Sequence, residues 1–262
     1  MNHHFRRHVI GMAAFALLAA GVGALFGGVI PSRAHAQENC GITAADIMQI
    51  KVIQSDPSLS SSEELTQELA LRKQLVGETI VCAQGEVQQL QASLAAATTT
   101  DPVGMIVQSH LAGDLAGADR YYNLELAKLD TSGIAGTEAV AQEVLAWRAG
   151  TFVPLSENVN NFILWAGSQD LFTTARARMD QTQRAVSFLE SASPNVDLQN
   201  AFNGALAAFN DAASANTAAR TALAQDASPD RSLALIKQSL NSLAATYQDF
   251  FTISTLIKGI LP

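Results

Sequence analysis

Apolar residues recur along this chain with alternating gaps of three and four positions, which is the spacing of a buried helix seam. The pattern is clearest in the C-terminal half, where Ser193-Pro194 and Ser228-Pro229 separate three seams. Because a proline disrupts the helix that precedes it, these seams predict three long helices in succession. The seam positions are Phe172, Ala175, Met179, Thr182, Val186 and Leu189, then Phe202, Leu206, Phe209, Ala213 and Leu223, then Leu233, Ile236, Leu240, Leu243, Tyr247, Phe250 and Ile257.

The N-terminal half carries the same spacing between helix start and stop signals. Thr43, with Asp46 three residues later, predicts one capped helix start, and Ser61 with Glu64 predicts a second of the same kind. Asp101-Pro102 then opens a further helix. The predicted helices in this half cover residues 44–55, 62–97 and 102–131.

Two features divide the middle of the chain into separate helices. Thr137 is the predicted N-cap of a short helix that ends near Ala149, and Gly150 with Pro154 is the predicted break before the next one. That next helix, residues 155–193, would measure roughly 58 Å at about 1.5 Å per residue. Since short connections force neighbouring helices to run antiparallel, the sequence predicts an all-α, elongated bundle of long antiparallel amphipathic helices with coiled-coil-like packing.

The first 36 residues are typical of a signal peptide. Arg6 and Arg7 precede the apolar run 9–30, and Ala34-His35-Ala36 provides a cleavage site, so the mature chain would begin at Gln37. The run is also long enough to stay as an uncleaved membrane anchor. Cleavage is favoured because glycines interrupt the run and weaken a permanent helix. We therefore expect residues 37–262 to form the exported bundle, in the periplasm, at the cell surface or secreted.

The charge balance excludes nucleic acid as a natural partner. Leader removal takes three of the 16 basic residues and none of the 24 acidic ones, which moves the formal net charge from -8 to -11. A protein that binds phosphate backbones needs a basic stripe, and the remaining basic residues are scattered.

Two cysteines remain in a chain addressed to an oxidising compartment, so Cys40 and Cys82 form the one internal disulfide that the sequence permits. If the first two predicted helices pack antiparallel, the extended stretch before Thr43 ends near Cys82. A redox or metal role is disfavoured, because there is no C-x-x-C motif and no further ligand nearby.

Catalytic signatures are missing from the sequence. After leader removal His110 is the only histidine, and no Glu-x-x-His pair, G-x-S-x-G motif or phosphate-binding loop is present. We therefore predict no catalytic residues, no metal site, no cofactor and no enzymatic activity.

Two apolar features are candidate sites. The first is an apolar pocket around the predicted break, although packing at a helix corner is the favoured interpretation of the same residues. The second is the apolar C-terminal tail, interpreted either as a contact site or, preferably, as the last turns of the bundle. The pocket residues are Trp147, Phe152, Phe162, Trp165 and Phe172, and the tail residues are Phe251, Ile260 and Leu261.

Three classes of function follow from these observations. The favoured one is a non-enzymatic exported bundle with a structural, assembly or adhesion role, whose partner is an envelope protein or a second copy of itself. The second is a membrane-active or membrane-associated helical protein, with contact through an uncleaved leader or the C-terminal tail. The acidic charge of the chain and its lack of a basic amphipathic helix argue against this second class. The third is a small-ligand binding or sensor bundle.

Overall fold

The computed structural model of this protein describes residues 43–260, and every regular element in that range is a helix. The predicted all-α bundle is confirmed. The predicted signal peptide (1–36), Cys40 and Leu261 lie outside the described residues. The elements are α1 (Ala44–Gln54), α2 (Ser61–Ala96), α3 (Pro102–Thr131), α4 (Ile134–Trp147), a π-helical turn (Arg148–Phe152), α5 (Val153–Ala192), α6 (Val196–Ala224) and α7 (Pro229–Ile260).

The start of α1 matches its prediction, and the start of α2 differs by one residue. Thr43 and Asp46 form the predicted capping box. At α2 the box is formed by Ser60 and Glu63 rather than by Ser61 and Glu64. In both capping boxes, the side-chain oxygen of the capping residue accepts a backbone N–H group of the first turn that has no partner within the helix.

The predicted break at Gly150 and Pro154 is wrong, because the chain continues as a helix from Ile134 to Ala192. The π-helical turn makes this continuity compatible with proline. The N–H group of Val153 donates to the carbonyl of Arg148, five residues back, and Pro154 lies in the first turn of α5. A proline is tolerated in a first turn. The continuous rod measures roughly 88 Å at about 1.5 Å per residue.

Thr137 is not the N-cap that the sequence predicted. The helix begins one turn earlier, at Ile134, with Gly133 in the capping position. The carbonyl of Gly133 accepts the N–H group of Thr137 at 2.8 Å. Thr137 is therefore inside the helix, where its side chain is buried.

The buried apolar side chains form two cores that share the long α5 helix. The first core combines α2, α3, α4 and the beginning of α5, and it also includes Ala219 near the end of α6 and Ile236 near the start of α7. The second combines the rest of α5 with most of α6 and α7. Because α5 supplies Val159 to the first core and Val186 to the second, the cores lie one after the other along the rod.

The junction between the cores is held by specific contacts near the start of α3. Asp101 caps α3 by accepting the N–H group of Gly104 at 2.7 Å, and its other carboxylate oxygen accepts a 2.7 Å hydrogen bond from Arg220. Gly104 leaves room for the Trp165 ring, since a Cβ atom at this glycine would lie 2.8 Å from the ring. No helix between Thr43 and Ile260 is long and apolar enough to cross a membrane.

Candidate functional site

The aromatic residues predicted to line one pocket are divided among three places in the bundle. Trp147 and Phe152 stack with ring centroids 6.2 Å apart at the π-helical turn. Phe162 and Trp165 contact each other at 5.8 Å inside the first core, and Phe172 packs on the second core. Neither of the two surface grooves described below is lined by any of them.

Tyr121 and Tyr122 of α3 complete an aromatic cluster around the π-helical turn. Tyr121 stacks on Trp147 with a centroid distance of 4.1 Å. Tyr122 meets Trp147 and Phe152 edge to face, at 5.3 and 6.1 Å. Such pairs each contribute about 0.5–1.5 kcal/mol beyond the area that they bury. The cluster therefore ties α3 to the widened turn of the long rod.

A largely buried ion pair lies beside this cluster. Arg148, the first residue of the π-helical turn, bonds to Glu86 of α2 at 2.7 Å, and the two side chains are 14% and 13% exposed. The same guanidinium donates to the Tyr122 hydroxyl at 3.4 Å and lies 5.2 Å from the centre of the Phe152 ring. Arg148 thus connects α2, α3 and the turn.

The charges around Arg148 favour its ion pair with Glu86. Burial lowers the pKa of Arg148, but the hydrogen bond and charge of Glu86 outweigh burial and raise it. Burial also raises the pKa of the Tyr122 phenol, while the hydrogen bond from Arg148 acts against that rise. Because Glu86 already balances the charge of Arg148, the group stabilises the turn and presents no spare charge to a ligand.

Another buried acid, Glu125, lies one turn beyond Tyr122 on α3. Glu125 is 2% exposed, and Lys128 donates to it at 2.7 Å and to Glu143 of α4 at 3.2 Å. The hydrogen bond with Glu125 is the main cause of the raised pKa of Lys128. Between Thr43 and Ile260, no three His, Cys, Asp or Glu side chains come together as metal ligands.

Two open grooves lie between α2 and α3. The larger, of about 610 Å³, has Gly77, Val81 and Cys82 on its α2 side and Leu126 and Leu129 on its α3 side. The smaller, of about 310 Å³, lies nearer the α2–α3 connection, between Leu94 and Gln108. Of these two grooves, the larger one exposes more apolar surface.

The remaining candidate residues have simple surroundings. Cys82 lies half-buried on α2 and has an interaction partner. Cys40, its predicted disulfide partner, is outside the described residues. His110 is exposed, 3.7 Å from Asp114 and from Asp226. In the tail, Phe251 is 53% exposed and Ile260 is half-buried.

Sequence reasoning missed Glu86, Arg148 and the two tyrosines. No spacing rule joins residues that are dozens of positions apart, so their meeting at the π-helical turn could not be predicted. Comparison of the chain with protein-family models, curated proteins and solved structures gave no match.

Proposed function

We propose that this chain is an exported, non-enzymatic helical bundle that acts through protein contacts at the cell envelope or outside the cell. Export is supported by the leader pattern of residues 1–36. The non-enzymatic role is supported by the missing nucleophile and metal motifs and by a central polar group whose charges already balance each other. A structural, assembly or adhesion role fits a rod of this length.

The observation that carries the proposal is the apolar surface at the far end of the rod. Phe188 near the end of α5 is 73% exposed, and Val196 at the start of α6 is 75% exposed. These two residues flank the α5–α6 connection, and we name them the apolar corner. The second core does not need them, because Val186 and Leu198 beside them are already buried.

A protein partner explains this exposure better than the fold does. Single exposed apolar residues are common on soluble proteins. We propose that a large aromatic and a β-branched side chain on the two sides of one connection act together as a contact site, since exposed apolar residues mark such sites when they are grouped. Burying each side chain against a partner would contribute about 1.5–3 kcal/mol.

Site-specific photo-crosslinking in the native cell tests this proposal. A photoreactive amino acid would replace Phe188 in the full chain, and a matched variant would carry it at Leu145, which is 70% exposed on α4. We expect a discrete crosslinked protein from position 188 that is absent from position 145. Equal crosslinking at both positions, or none at 188, would contradict a contact at the apolar corner.

Export is tested separately by fractionation and N-terminal sequencing of the same full-length protein. The proposal expects the protein outside the cytoplasm, with Gln37 as its first residue. An unprocessed protein confined to the cytoplasm would contradict export whatever the crosslinking shows.

A further inference from the structure

The α2 wall of the larger groove contains a row of residues spaced four apart, namely Lys73, Gly77 and Val81. Residues with this spacing lie above one another on one face of a helix. Val81 is 57% exposed, whereas Leu129 of the opposite helix is buried and forms part of the groove floor. The wall continues to Cys82, so the groove is an open channel about 14 Å long at about 1.5 Å per residue.

The first helix, α1, packs on the opposite face of α2. Gln54 at the end of α1 donates a 2.9 Å hydrogen bond to Glu68 of α2. Glu68 precedes Gly77 by about two and a half helical turns, so the two residues lie on opposite sides of α2. Within the part of the chain that the structure describes, only α2 and α3 line the groove. The channel therefore faces outward from the bundle.

Gly77 keeps the floor of the groove low, although neither the backbone nor the packing requires a glycine there. Among the described glycines, none has a positive φ angle. A Cβ atom at Gly77 would lie 3.6 Å from Cδ2 of Leu129, which is an ordinary van der Waals contact. Glycine is less favourable than alanine inside a helix. The missing methyl group thus leaves space that no described neighbour in the bundle fills.

Two carboxylates give the groove a negative rim. Glu78 on the α2 wall and Asp130 on the α3 wall are exposed, and neither forms an ion pair with another described residue. Lys73 is directed at the end of α3, where its ammonium group donates to the main-chain carbonyl of Asp130 at 2.8 Å. The lining holds one basic and two acidic side chains, so its formal charge is -1.

We propose that this groove is a second contact site, which binds a helical segment of a partner protein that carries Lys or Arg beside its apolar residues. An amphipathic helix binds a groove of this kind through apolar side chains at positions i, i+4 and i+7. A channel of about 14 Å matches about nine helical residues. Cationic side chains beside these anchors pair with Glu78 and Asp130 on the rim. The site is separate from the apolar corner, since it lies on α2 and α3.

Fluorescence anisotropy with a labelled synthetic peptide tests the proposal on the exported protein. The probe is a helical peptide with leucines at positions i, i+4 and i+7 and lysines on both sides of this stripe. One comparison peptide has glutamates in place of the lysines, and a scrambled peptide keeps the lysines but loses the stripe. We expect the probe to bind about tenfold more tightly than either comparison peptide.

Two pairs of variants locate the binding on the protein. Glu78→Lys reverses one charge of the rim, and Asp211→Lys makes the same kind of change at an exposed position of α6. Gly77→Ala adds a methyl group to the floor, and Gly113→Ala adds one on α3 where a Cβ atom meets nothing within 4 Å. We expect Glu78→Lys and Gly77→Ala each to weaken binding of the probe severalfold, while both controls bind it like the parent protein.

Three results would overturn the docking proposal. No binding of the probe, or equal binding of the scrambled peptide, would show that the groove does not take a basic amphipathic helix. Equal weakening by Glu78→Lys and Asp211→Lys would show only general attraction between a basic peptide and an acidic protein. Unchanged binding in either Glu78→Lys or Gly77→Ala would place the peptide elsewhere on the bundle.

Discussion

Replacing Gly104 by alanine should destabilise the junction between the two cores. The new Cβ atom would lie 2.8 Å from Cζ3 and 2.9 Å from Cη2 of Trp165, and 3.0 Å from Oγ1 of Thr99. Trp165 is 2% exposed and packs against Phe162, so its ring has little room to move away. Real Cβ atoms do not approach other atoms so closely, and the surrounding residues must shift.

The expected magnitude is the difference between two opposing effects. Overpacking a well-filled core costs about 1–3 kcal/mol, and a glycine-to-alanine change in a helix returns up to about 1 kcal/mol. We expect a net loss of about 1–2 kcal/mol, since the gain is small in the first turn of a helix. For a domain of this size that loss corresponds to a Tm lower by about 2–8 °C.

Urea unfolding followed by circular dichroism measures this change, with Gly113→Ala as the matched control on the same helix. A Cβ atom at Gly113 meets nothing within 4 Å, so this variant should be stabilised by about 0.5–1 kcal/mol. Adding Trp165→Leu should remove most of the penalty of Gly104→Ala in a double-mutant cycle. A Gly104→Ala protein as stable as Gly113→Ala would refute the close contact.

Three further predictions concern other parts of the fold. Arg148→Met should lower the free energy of unfolding by about 3 kcal/mol because Glu86 stays buried without its partner, and adding Glu86→Leu should recover part of the loss in urea unfolding. Mass spectrometry without reductant should find Cys40 linked to Cys82, and two free thiols in freshly exported protein would contradict the predicted pairing. Truncation after Ala245 removes buried side chains of α7 and should cost several kcal/mol, whereas removing only the last three residues should leave the melting temperature nearly unchanged; equal melting of both would contradict a packed α7.

Most of the fold could be predicted because it depends on local signals. The seam spacing and the Ser193-Pro194 and Ser228-Pro229 stops located three helices to within a few residues. The capping residues at Thr43 and Asp101 act on N–H groups only two or three positions away, so they can be read directly from the sequence. The continuity of α4 and α5 could not be read in this way.

The failure at Pro154 has a physical cause. A proline normally removes a helical hydrogen bond and collides with the preceding turn. Here the chain adds one residue to that turn, which places Pro154 in the first turn of the following segment. The contacts that accompany the wide turn come from Glu86 and Tyr122 on other helices, and their positions follow from tertiary packing.

The candidate site was less predictable than the fold for the same reason. The large aromatic residues were recognised, but helical spacing alone did not separate Trp147 at the turn from Trp165 at the junction. The exposure of Phe188 and Val196 depends on which side of each helix faces the second core. That orientation is fixed by the packing of α5, α6 and α7 against one another.

The most direct test of the proposed function is envelope retention of a full-length variant with Phe188→Asp and Val196→Asp at the apolar corner. The control is Leu145→Asp, an equally exposed position on α4. All three substitutions are at the surface, so circular dichroism should show folded bundles in both proteins. The proposal predicts that the corner variant is exported but loses its association with envelope complexes in co-sedimentation, while the control stays associated. Undiminished association of the corner variant would contradict the claim that the protein acts through contacts at this end of the rod.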